Sequence, residues 1–152
     1  MEVYLHEELV FRDLDAKSSD EALDYLATQL FKNGYVKKQY ITAIKERERE
    51  YPTGLPSTQP IVAIPHANYE LVNETTLAIA TLKEPVEFHN MEENAATLPV
   101  KIIIMMAIGE PHGQVEMLQK IVGLIQDEPL RQKMVAAHDN LELLKLVETA
   151  IN

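Results

Sequence analysis

The chain has 152 residues, 46% of them hydrophobic and 25% charged, enough for one domain with a sizeable core. It contains no cysteine, which removes disulfides, thiolate chemistry and a Cys-type zinc site. Its net charge of -10 weighs against nucleic acid, whose binding depends on neutralising phosphates with Lys and Arg, and suits a partner with a basic face.

Val3 to Phe11 mixes apolar and acidic residues and reads as a first strand or an irregular entry. No basic stretch followed by an apolar core opens the chain, so no signal peptide is expected. No segment approaches the roughly 20 apolar residues of a membrane span, and a reducing, cytoplasmic setting is the expectation. Ser18-Ser19-Asp20-Glu21 is a helix start, and Ala22, Leu23, Leu26, Ala27, Leu30 and Phe31 recur at helical spacing behind it. Asn33-Gly34 closes that helix. A second helix is expected from Val36 to about Glu50, with Tyr40, Ile41 and Ile44 on one face. Tyr51 to Ser57 is a turn-rich loop.

Ile61-Val62-Ala63-Ile64 reads as a short buried strand that Pro65 ends, because proline has no N–H to give the ladder. His66 follows at once, on a strand end that mounts it firmly beside a surface loop; the heptapeptide alone reads either as a partly buried histidine that fills space or as one open to a partner. Separate strands are expected at Thr75 to Leu82 and Pro85 to Phe88. Val100 to Ile108 is almost wholly apolar and rich in β-branched residues, as a central strand covered on both faces would be. Gly109-Glu110-Pro111-His112 breaks it. Gln114 to Gln126 then repeats Val115, Leu118, Ile121, Val122 and Ile125 as an amphipathic helix. Two further helices are expected, at Leu130 to Ala137 and from a cap at Asn140 to about Ala150. Strands interleaved with covering helices give an α/β sandwich: residues 1–152 as one domain, a mixed β-sheet flanked by helices on both faces. The methionines read as core fillers, Met105 and Met106 in the central strand among them.

Two histidines stand just past apolar strands and beside prolines: His66 after Pro65, His112 after Pro111. If those strands run parallel and adjacent, both imidazoles reach one edge of the sheet, where open α/β sheets place their sites. Such a pair can bind a metal, relay a proton, or carry and stabilise a transferred group. No His-x-x-x-His or Glu-x-x-His spacing supports a metal. Lys45-Glu46-Arg47-Glu48-Arg49-Glu50 reads mostly as a solvated helix face, yet one of its arginines is close enough in sequence to fold over the site and offer donors to phosphate oxygens. His6 in an acidic terminus, His89 at a strand-end turn and His138 between two helices read as structural or neutral.

Three ordered stretches carry a resemblance: Arg47 to Leu55, Ile61 to Ala67, and Glu84-Pro85-Val86-Glu87-Phe88, followed by the strand ending near His112. Together they resemble the IIA component of the bacterial sugar phosphotransferase system (PTS), in its fructose–mannitol superfamily. The Tyr51-Pro52-Thr53-Gly54-Leu55 loop and Ala67-Asn68-Tyr69 look most like the galactitol-type branch. The resemblance implies a cytoplasmic phosphocarrier of the type-2 IIA class. It would accept a phosphoryl group from the phosphocarrier protein HPr and pass it to a cysteine of a IIB partner, serving a membrane IIC component. By motif match it assigns the phosphorylated histidine to His66, the assisting histidine to His112 and the family arginine to Arg47 rather than Arg49. It calls for no metal or other cofactor and no nucleic acid. Ala67 departs from the glycine frequent after the active histidine in this family. Ile108-Gly109 and the Tyr69-Leu71 loop are the expected docking rim. A regulatory module of the same fold, like the nitrogen-type branch, is the alternative.

Overall fold

The computed structural model describes residues 3–152. The N-terminal pair, including Met1 among the methionines expected in the core, lies outside the described residues. A short 3-10 turn, Glu7–Leu9, leads into β1 (Val10–Leu14), which sets the first strand later than the apolar run from Val3 suggested. Next come α1 (Ser19–Lys32), α2 (Gln39–Glu50), β2 (Ile61–Ala63), β3 (Thr76–His89), β4 (Thr97–Ala107), α3 (Gly113–Ile125), α4 (Glu128–Ala136) and α5 (Asn140–Ile151).

Each helix starts where local chemistry supplies a cap or a turn. Ser18 Oγ accepts from Glu21 N at 3.1 Å at the head of α1. Asp127 Oδ1 accepts from Leu130 N at 3.0 Å before α4, and Asp139 Oδ1 from Glu142 N at 2.8 Å before α5. Asp139, not Asn140, is therefore the last cap; Asn140 Oδ1 instead accepts from Arg12 N of β1. The α2 helix begins at Gln39, three residues after the apolar run from Val36 begins, because Val36 is spent on a bridge to Val72.

The sheet has four strands in the order β1-β3-β4-β2, parallel for β1/β3 and β2/β4 and antiparallel for β3/β4. The two strands expected between Thr75 and Phe88 are one continuous strand, whose register shifts between Thr81 and Val86. A bulge keeps the pairing while the chain bends, so Lys83-Glu84-Pro85 does not end the strand. Helices α1 and α2 cover one face through Leu23, Leu26, Leu30, Tyr40 and Ile44; α3, α4 and α5 cover the other through Met117, Ile121, Leu124, Met134 and Val147. The mixed sandwich expected from the sequence is the architecture found.

Four expected core positions turn outward, Phe31 near the end of α1 among them. Val115 is 63% exposed and Val122 39%, because α3 packs through Met117, Ile121 and Leu124 instead. Met91 is exposed at the β3–β4 turn, while Met105, Met106, Met117 and Met134 fill the core. A buried charge also appears on α4. The Arg131 guanidinium on α4 is buried and donates to the carbonyls of Pro60, Ile125 and Thr58 and to Thr58 Oγ1, tying α4 to the loop that delivers β2.

Candidate active site

Because β2 and β4 are parallel neighbours, their C-terminal ends open on the same edge of the sheet. The pairing outlasts β2 itself. Pro65 has no N–H, but its carbonyl accepts from Met106 N at 2.9 Å, and His66 forms a parallel bridge with Met106. Below that rung, the buried Tyr40 hydroxyl of α2 donates to Met106 O at 2.8 Å. His66 thus stands on a β4 residue held from both sides.

The imidazole has a defined orientation. His66 Nδ1 lies 3.0 Å from Ile64 O, and a carbonyl can only accept, so Nδ1 carries the proton and Nε2 keeps a free lone pair. Burial pushes the His66 pKa down; the Ile64 carbonyl pulls it back up, and the Arg47 charge lowers it further. The ring is therefore neutral near pH 7.

Arg47 shares a cleft of about 310 Å³ with His66, Glu50, Tyr51, Pro52, Thr53, Met91 and Asn94. Its guanidinium lies 5.3 Å from the Tyr51 ring centroid, and its Nε is buried with no hydrogen-bond partner. A buried donor without a partner is rare, and here it belongs to a residue that shares its cleft with a free imidazole lone pair. Arg49, one turn face away, is exposed and pairs with Asp20 of α1 at 3.1 Å. Lys45 likewise pairs with Asp24 at 2.8 Å. Antiparallel packing of α1 and α2 thus uses up the cations on that flank and leaves Arg47 for the cleft.

His112 takes the cap position of α3, exposed and without a side-chain cap hydrogen bond. It does not line the Arg47–His66 cleft, but its neighbour Gln114 donates from Nε2 to Ala67 O at 2.8 Å, which ties the start of α3 to the residue after His66. Of the expected docking rim, Tyr69 and Leu71 are partly exposed, whereas Ile108 is fully buried and belongs to the core. His89 ends β3 with Nδ1 at 2.8 Å from Asn94 O, and His138 lies on the surface beside Glu142. His6 lies against Tyr35, 5.0 Å between ring centroids.

Sequence reasoning missed two groups. Met91 and Asn94 reach the cleft from the β3–β4 turn, which no pattern links to His66. Glu48, read as solvated, is only 9% exposed, and its carboxylate accepts from Thr53 N at 2.8 Å and Thr53 Oγ1 at 2.6 Å. A signal existed: Tyr40, Ile44 and Glu48 recur every four residues on the buried stripe of α2.

Residues 3–150 match the family model described as "Phosphoenolpyruvate-dependent sugar phosphotransferase system, EIIA 2". The chain belongs to the EIIA 2 family. It is 37% identical over 100 residues to the transcriptional regulator ManR of Bacillus subtilis, covering 66% of this chain and 14% of that protein. It therefore spans about a seventh of that relative's length. It is 24% identical over 116 residues to a galactitol-specific EIIA component of Escherichia coli, covering 76% of each. Its fold superimposes with a TM-score of 0.77 on enzyme IIAMtl from the Escherichia coli complex with phosphorylated IIBMtl, at 25% identity, over 97% of this chain and 99% of that one. Like its family, the chain is an EIIA domain of phosphotransferase type. None of its described helices is long and apolar enough to cross a membrane.

Proposed function

We propose that His66 carries a phosphoryl group between two protein partners. The observation that carries this reading is the free Nε2 of a neutral, tautomer-locked imidazole in the same cleft as Arg47, whose buried Nε has no hydrogen-bond partner. In the first half-reaction, the Nε2 lone pair attacks the phosphorus of phospho-HPr. The new N–P bond forms as the donor's N–P bond breaks, and that electron pair returns to the donor imidazole. The proton stays on Nδ1, donated in a hydrogen bond to the Ile64 carbonyl, so the phosphorylated ring is a hydrogen-bonded imidazolium. In the second half-reaction, a thiolate of a IIB partner attacks the phosphorus and the bonding pair returns to Nε2.

Arg47 would neutralise charge on the equatorial oxygens during both steps. His112, held at the same sheet edge through the Gln114–Ala67 tie, is the second donor. The site needs no metal in this scheme. The neighbour solved with phosphorylated IIBMtl supports a IIB acceptor, and HPr fits the family as donor. A galactitol-type polyol is the favoured cargo of the whole transporter, and the cytoplasm the favoured location. The test is incubation with phosphoenolpyruvate, enzyme I and HPr, followed by mapping of acid-labile phosphate. His66→Ala should take none, and label surviving in it would overturn the assignment. His112→Ala should accept label but pass it on slowly.

The likeness to ManR supports a second reading, in which phosphorylation of His66 switches a regulatory contact. Rapid onward transfer to a polyol-type IIB favours transport; retention of phosphate with every IIB favours regulation.

A further inference from the structure

The open edge of β2 is covered by the strip Thr53-Gly54-Leu55. Leu55 N donates to Val62 O at 3.0 Å, Ile64 N donates to Thr53 O at 3.2 Å, and Gly54 bridges Ala63 in antiparallel fashion. The strip therefore holds Ile64, the residue whose carbonyl accepts from His66 Nδ1, from the side away from β4. We propose that Glu48 is a positioning residue for His66: by taking both donors of Thr53 it fixes this strip, the Ile64 carbonyl and hence the choice of protonated imidazole nitrogen.

The chemistry at position 48 points beyond packing. Glu48 continues the apolar Tyr40–Ile44 stripe, where a leucine would fill the same space without desolvating a charge. What a carboxylate adds is direction, since its two oxygens engage the N–H and the O–H of one residue at once. Thr53 is itself 3% exposed, so water is no substitute partner. Burial raises the Glu48 pKa, while the Thr53 hydrogen bonds and then the His89 and Arg47 charges pull it down, so the neighbours favour the ionised acceptor form. Glu48 touches no reacting atom. Its effect reaches His66 through Thr53 and Ile64.

The inference rests on the phosphocarrier reading only in its kinetic arm. The test uses long-range 1H–15N spectra of the unphosphorylated full chain, which report each histidine tautomer directly, together with rates of label uptake from phospho-HPr. The wild type should show His66 protonated at Nδ1 alone. Glu48→Ala and Thr53→Val should show mixed tautomers and take up label about 10- to 100-fold more slowly, the scale expected when a reacting group loses its alignment. Glu48→Gln can still accept from Thr53 N and donate to Oγ1, and Thr53→Ser keeps both donors, so both should restore the wild-type His66 signals. A folded Glu48→Ala with unchanged His66 signals overturns the inference. Should Glu48→Ala fail to fold, Thr53→Val decides by the same criterion. If the tautomer shifts as expected but the wild type takes no phosphate on His66, the phosphocarrier reading fails and the positioning role stands.

Discussion

Arg47 and Arg49 differ by two positions and by everything that decides chemistry. Arg49 is committed to Asp20 on an exposed flank, where such a pair contributes about 0.2–1 kcal/mol. Arg47 has a buried Nε without a partner and shares the His66 cleft. Arg47→Ala should therefore slow phosphoryl acceptance by on the order of 100-fold, while Arg49→Ala changes it little. Rapid-quench kinetics on both variants decides this, and equal losses would reverse the assignment. A second readout follows from electrostatics. Since Arg47 lowers the His66 pKa, its removal should move that value up, visible in an NMR titration. In the intact protein, burial holds the His66 pKa below the ordinary 6.5. The stability this ring contributes is complete above about pH 6.5. It is lost as pH falls toward the folded value, because the unfolded chain then binds a proton the folded ring refuses. Phosphoryl acceptance should hold level from pH 8 through 6.5 and fall only below that, and a rate that halves near 6.5 would mean the ring is solvated.

Among the elements, the strip over β2 is the most closely fitted. A Cβ on Gly54 would lie 2.7 Å from the His89 carbonyl oxygen, a contact backbone cannot yield. Gly54 N also donates to that carbonyl at 3.2 Å, and Met91 N donates to Gly54 O at 2.8 Å, so the strip clamps the β3–β4 turn that supplies Met91 to the cleft. Gly54→Ala should cost about 1–3 kcal/mol and weaken phosphoryl acceptance. Gly123→Ala, in α3 with nothing within 4 Å of the new methyl, should gain about 0.5–1 kcal/mol. Chemical denaturation of the two variants checks the contrast. Much of this layout was legible beforehand. The Val100 to Ile108 run gave the central strand, the proline-ended Ile61 run gave β2, and parallel pairing of the two put His66 and His112 on one edge. The clamp itself was not legible: the four-residue spacing of Tyr40, Ile44 and Glu48 marks a buried stripe but not Thr53 as the partner, and the Gly54–His89 contact depends on tertiary placement. Arg131 was hidden for the same reason: a cation in a helix reads as surface until its carbonyl partners from the 58–60 loop are in place. The outward turn of Val115 and Val122 shows that periodicity marks a face but not which part of it the sheet covers.

Over the whole molecule, charge sets two responses to salt that run in opposite directions. The chain carries 24 acidic residues against 14 basic ones. Glu46, Glu50, Glu70, Glu92 and Glu93 are all exposed on the α2 end, the 3-10 turn Tyr69–Leu71 after His66 and the β3–β4 turn, the segments that surround the cleft. Like charges on a compact body repel, and salt screens them: the Debye length falls from about 10 Å at 0.1 M to about 3 Å at 1 M. Raising NaCl from 20 mM to 0.5 M should therefore stabilise the fold by about 1 kcal/mol, or about 2–4 °C in melting temperature. The same screening removes the attraction between this acidic rim and a basic docking face, so the second-order rate of phosphoryl acceptance should fall about tenfold over that range. Within the cleft, the Arg47–His66 coupling is short-range and partly buried, so the rate of the chemical step in the docked complex should hardly change. Stopped-flow measurements at saturating and limiting donor separate the two terms. A loss confined to the saturating regime would place the salt effect on the transfer step and remove the acidic rim from partner capture.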